Sequence, residues 1–172
     1  MTREIKGREK IEIAASRDDV YRFRLDCMNL PTLNPAVRNV TRSDGSTGPP
    51  AAGASYRCEV DLEWGECSAT VHVTEAVFPS LIVLDMETGL RSRVSDPQER
   101  VRSHEVARFS VLPGGGTRID VELTLFPPDS VPADELALME ANAGAPINVE
   151  LAAMKLALEN RPAGMEERNV EA

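Results

Sequence analysis

At 172 residues the chain can form one domain that buries roughly 70% of its unfolded surface, so it needs neither disulfide nor metal to fold. Its 19 basic and 28 acidic residues leave a formal charge of −9, and no Lys/Arg-rich run offers a phosphate footprint, which argues against nucleic acid as a partner. Cys27, Cys58 and Cys67 form an odd set without metal-type spacing, and His72 and His104 lie far apart, so free thiols, no metal and no cofactor are expected.

The opening MTREIKGREK is charged where a secretory signal needs an apolar run, and no stretch approaches the roughly 20 apolar residues of a membrane span. A cytoplasmic location is therefore expected. Residues 10–15 alternate Ile11 and Ile13 with Lys10 and Glu12, the period of a half-buried strand. Ser16 followed by Asp18 and Asp19 has the form of a helix start, a hydroxyl cap with acidic side chains in the first turn. Val20, Phe23 and Cys27 then share a face, and Pro31 ends the helix between residues 29 and 31. Residues 30–35 read as a turn or a short second helix, and residues 37–42 as a strand.

Residues 43–53, SDGSTGPPAAG, are the most loop-like interior segment. From Ser55, Tyr56, Cys58, Val60 and Leu62 alternate with polar residues, and beyond a turn at residues 63–65 so do Cys67, Ala69, Val71 and Val73. An even-numbered hairpin loop sets even positions of the first strand opposite odd positions of the second, so both apolar sets face inward and His72 faces outward. A third strand follows at residues 81–88, with Ile82, Leu84 and Met86 assigned to the inside, and then a charged loop at residues 89–101. Glu105, Ala107, Phe109 and Val111 alternate up to a turn at residues 113–116, after which Ile119, Val121, Leu123 and Leu125 alternate in turn. This second hairpin places His104 outside and Glu105 inside.

Asp129 or Ser130 can cap a helix running to residue 143 with Leu136 and Met139 buried. Gly144 and Pro146 then favour a second helix over one kinked rod. In residues 146–161, Ile147, Leu151, Met154 and Leu158 recur on one face, with Glu150, Lys155 and Glu159 away from that line. A long helix after antiparallel strands can bury its stripe in the concave face of their sheet, as the wall of a cavity or as the plug of a core. Residues 1–161 form the expected single domain, and residues 162–172 a frayed tail.

The element order, together with ASRDDVY at residues 15–21, LNPAV at 33–37, GASY at 53–56, VTEAVFPSLIVL at 73–84 and GTR at 116–118, resembles the START-like (SRPBCC) superfamily that includes the polyketide cyclase/dehydrase proteins. Each motif is short, and their order over residues 8–160 carries the likeness. Many relatives have Trp where this chain has Leu33, which removes a large aromatic from the mouth region. The resemblance implies an α+β helix-grip fold, a curved antiparallel sheet wrapped around the last helix. It further implies a cavity for a hydrophobic small molecule, a lipid or polyketide, either carried or turned over by a cyclase or dehydratase.

Such a cavity would be walled by the inward sets: Cys58, Cys67 and Val71; Leu84 and Met86; Phe109, Val121 and Leu123. Leu33 would stand at its mouth, and Met139, Ile147, Leu151 and Met154 would close it from the helices. Catalysis would need a base and an oxygen donor inside. Glu105 is the one carboxylate that alternation turns inward, and burial would raise its pKa; alternatively it meets solvent at a strand end or pairs with an arginine. Tyr56 could donate to a ligand oxygen or pack in the core with its hydroxyl at the rim. Asn142 and Asn148 flank the helix break, where capping needs account for them. Trp64, at the first hairpin tip, could guard an entrance or contact a protein partner, as a module acting through protein contacts would; a homodimer is a further open partner.

Overall fold

The computed structural model describes residues 3–62, 65–89 and 100–160. Among these, seven strands form one antiparallel sheet: β1 (Ile5–Ile13), β2 (Val37–Arg42), β3 (Ser55–Leu62), β4 (Gly65–Val77), β5 (Leu81–Gly89), β6 (Arg100–Val111) and β7 (Thr117–Phe126). Their order across the sheet is β1-β7-β6-β5-β4-β3-β2. Every link but β1 to β7 therefore joins neighbours in the chain, the meander that short hairpin loops favour. The helices are α1 (Arg17–Leu25), α2 (Leu30–Leu33), α3 (Ala133–Ala141) and α4 (Ala145–Glu159).

The register follows from the alternation. Cys58 stands opposite Ala69 and Val60 opposite Cys67, so the two inward sets share a face, and Leu84, Glu105 and Leu123 continue that face across β5, β6 and β7. Ile82 and Leu84 are buried and Met86 packs half-buried against the same core. Ser16 caps α1 by accepting from the Asp19 backbone N–H at 3.2 Å, and residues 27–33 make a 3-10 turn followed by the single turn of α2. Two consecutive helices end the described chain, with Pro146 in the first turn of the second.

Several boundaries differ from the sequence expectation. β1 begins at Ile5 rather than at residue 10, because Ile5, Gly7 and Glu9 continue the inward series and pair with Leu125, Leu123 and Val121, a period that two polar-looking positions conceal. Gly7 is where the C-terminal helices cross the sheet: a Cβ there would lie 2.8 Å from the Ala143 carbonyl, so the close approach requires glycine. β6 begins at Arg100, so Arg100 and Val101 belong to the sheet; residues 90–99 lie outside the described residues, as do Trp64 and residues 161–172. α3 starts only after Pro132, which takes the N-cap position in place of Asp129 or Ser130.

The core lies between the inner face of the sheet and α4. Ile147, Leu151, Met154 and Leu158 are buried in one cluster with Tyr56, Cys58, Val71, Val73, Ile82, Leu84, Phe109, Ile119 and Val121. Two contacts clip α4 to the end of β1: Lys155 donates to the Glu12 carbonyl at 2.7 Å, and Glu159 accepts from the Ala14 N–H at 2.8 Å. A smaller cluster of Ile5, Val131, Leu136 and Ala143, with Met139 and Leu125 against it, lies under α3.

Candidate functional site

Polar side chains converge where α1 and α4 meet the inner face of the sheet. Arg24, in the last turn of α1, is only 4% exposed. One terminal nitrogen of its guanidinium donates to Glu105 on β6, and the other lies 3.3 Å from Glu150 on α4. The second Glu150 oxygen accepts from Asn34 Nδ2 at 3.2 Å. Glu105 is thus inside, as alternation requires, and is engaged by an arginine. Three ionisable side chains in low dielectric hold together only because each charge meets its opposite.

The electrostatics follow from that packing. Burial works against the Arg24 charge, but the Glu105 and Glu150 carboxylates and the Glu105 hydrogen bond more than offset it, so Arg24 is held protonated more firmly than a free arginine. Glu150 goes the other way. Burial pushes its pKa up, Arg24 pulls it down, Glu105 pushes it up again and Asn34 lowers it, with an upward result. Burial also pushes the Cys27 thiol up to about 12 and the Cys58 thiol up to about 11, so both act as small apolar groups.

Two buried donors in this region have no hydrogen-bond partner among the described residues: Arg24 Nε and the Tyr56 hydroxyl. Tyr56 is 1% exposed, so its hydroxyl sits in the core and not at the rim. Burial, followed by the nearby Cys27 and Asp26, pushes its pKa up to about 12, which keeps it a protonated donor. Cys27 is within electrostatic reach of both Arg24 and Tyr56.

The remaining sequence-derived positions divide by location. Leu33, Cys58, Val71, Leu84, Phe109, Val121, Leu123, Ile147, Leu151 and Met154 join the main cluster, with Met86 packed against it. Cys67 is half-buried on β4. Met139 belongs to the separate cluster under α3, because α3 lies over β1 and the end of β7. Asn142 is exposed and donates to the Leu138 carbonyl, closing α3, and Asn148 is exposed on α4. His72 and His104 face outward, bonded to Ser55 and Asp85, each at 2.7 Å, beside an open groove of about 680 Å³.

Arg24, Asn34 and Glu150 are absent from the sequence-derived site. Glu150 in particular was set away from the apolar line of its helix, yet its side chain is only 18% exposed and reaches Arg24. Arg24, Leu33, Ile147, Glu150, Leu151 and Met154 line a crevice too narrow to admit a water molecule. At this end of the grip α4 acts as a plug. Among the described residues no three His, Cys, Asp or Glu side chains stand close enough to share a metal ion, and no helix is long and apolar enough to cross a membrane.

No family model and no curated protein matches the chain. Solved structures do match. A START superfamily protein from Mycobacterium smegmatis is 15% identical with a TM-score of 0.65, covering 90% of this chain and 97% of its own. Truncated norcoclaurine synthase from Thalictrum flavum is 14% identical with a TM-score of 0.66, covering 93% of this chain and 96% of its own. The di-domain ARO/CYC StfQ of the steffimycin biosynthetic pathway is 12% identical with a TM-score of 0.63, and the match takes in 91% of this chain and 51% of StfQ. A seven-stranded antiparallel sheet gripping a long C-terminal helix, in a match that runs over nearly the whole length of two of these proteins, gives this chain the helix-grip fold.

Proposed function

We propose that this protein binds a hydrophobic, oxygen-bearing small molecule between the inner face of the sheet and α4. One observation carries the reading: the Tyr56 hydroxyl is buried without a hydrogen-bond partner among the described residues, at a cost of about 1–3 kcal/mol that a ligand oxygen would remove. A fold with no use for that hydroxyl would do better with phenylalanine. The START superfamily protein and the ARO/CYC StfQ share the architecture, and polyketide- or lipid-like molecules are the ligand class proposed here.

The binding test is native mass spectrometry together with displacement of an environment-sensitive apolar dye by polyketide mimics. Tyr56→Phe should leave the empty protein as stable or slightly more stable, and should weaken the mimic by about tenfold, the effect of one lost hydrogen bond near 1.4 kcal/mol. Failure of every mimic to displace the dye would end the proposal.

A carrier is favoured over a cyclase or dehydratase by the pairing of Glu105. Its carboxylate is taken up by Arg24, and a base must be free to receive a proton. The enzymatic reading would use Glu105 as base and Tyr56 as oxygen donor. It predicts that Glu105→Gln abolishes product formation from a poly-keto substrate and spares binding, measured by product analysis beside the dye titration. Unchanged product formation removes Glu105 from that mechanism.

A further inference from the structure

The polar end of the grip has a definite charge balance: one guanidinium, Arg24, stands between two carboxylates, Glu105 and Glu150. Glu105 is 3% exposed and is not part of the crevice wall, whereas Arg24 and Glu150 both line it. Each terminal nitrogen of Arg24 commits one of its two N–H groups to a carboxylate, and Nε–H has no partner among the described residues, so the guanidinium keeps donors to spare. Glu150 accepts from Arg24 and Asn34 and still has lone pairs to offer. The crevice wall therefore carries an incompletely satisfied donor, Arg24, beside an acceptor, Glu150, with two carboxylates sharing one cation.

We infer that this crevice recognises the hydroxyl of a neutral apolar alcohol or phenol and turns away free carboxylates and phosphates. A hydroxyl answers both groups at once: its oxygen accepts from Arg24 Nε–H and its hydrogen is donated to Glu150. An anionic head would place a third negative charge around a single buried cation, and in low dielectric like charges repel strongly. An ether or ester oxygen would satisfy Arg24 alone. The assignment rests on the ligand-binding reading above, and it narrows the ligand from hydrophobic small molecules in general to uncharged hydroxyl compounds.

The crevice is closed in this structure, and the residues closing it are the ones best able to yield. Leu33 sits on α2, a single turn of four residues with little stability of its own. Met154 is unbranched, with three rotatable bonds. Neither residue takes part in the Arg24–Glu105 pair, so the pair does not depend on their position.

The test uses naphthol, methoxynaphthalene and naphthoate, which share an aromatic body and differ in the head, titrated calorimetrically against the full chain at neutral pH. The expected order of affinity is naphthol, methoxynaphthalene, naphthoate, with naphthol at least about tenfold tighter than naphthoate. Glu150→Gln, which keeps the shape and removes the charge, should raise naphthoate to about the affinity of methoxynaphthalene. Any other order in the wild-type protein overturns the assignment, as does a Glu150→Gln variant that still rejects naphthoate. Absence of binding by all three probes would instead overturn the ligand-binding proposal itself.

Discussion

Arg24→Met is expected to destabilise the protein by about 3–5 kcal/mol, the range for breaking a buried ion pair from one side. Methionine fills the space of the aliphatic stem, so little of this loss is packing. It arises because Glu105 would remain 3% exposed with its counter-charge gone and a second carboxylate, Glu150, close by. The triple variant Arg24→Met with Glu105→Leu and Glu150→Gln removes all three charges and should recover most of the loss, since an apolar or neutral replacement of buried ion pairs is often neutral or better. Urea denaturation checks this through the shift in midpoint at constant slope. A single-variant loss below about 1 kcal/mol, the worth of an exposed pair, would mean that water reaches the cluster.

Met154→Ala is expected to cost about 2–5 kcal/mol, and it separates wall from plug. Met154 is 1% exposed and forms part of the crevice wall with Leu33, Ile147 and Leu151. Truncation leaves a void there, because the sheet and α4 can collapse only in part. If α4 plugs this end, the void admits a guest without the displacement of Met154 that the wild-type protein requires. Naphthol should then raise the melting temperature of Met154→Ala more than that of the wild type, since ligand bound to the folded state alone adds to stability. Equal shifts would show that the space for a guest lies elsewhere in the grip.

Much of the architecture can be read in the chain before any coordinates. Period-two alternation in β3, β4, β6 and β7 is strong enough to fix which residues face inward, and hairpin parity carries that assignment across the sheet, to the point of setting Glu105 inside and both histidines outside. β1 was less legible, because Gly7 and Glu9 interrupt the apolar series for a reason that lies in the distant Ala143 and Gly144. The polar cluster was missed for a related reason. Val20, Phe23, Arg24 and Cys27 occupy positions i, i+3, i+4 and i+7, and so do Ile147, Glu150, Leu151 and Met154. A charge inside an apolar stripe is the local sign of a buried partner. Both stripes carry one, of opposite sign, and reading them as solvated residues beside the stripe discarded that signal.

The inward Glu105 has one more consequence, for the threading of the sheet. A slip of β6 by a single residue would carry Glu105 to the outer surface and leave the Arg24 guanidinium stranded, while Ala107 and Phe109 moved into water. A mispaired sheet would forfeit its electrostatic closure together with its apolar burial. The same three charges that favour an uncharged guest thus act as a proofreading device for strand alignment.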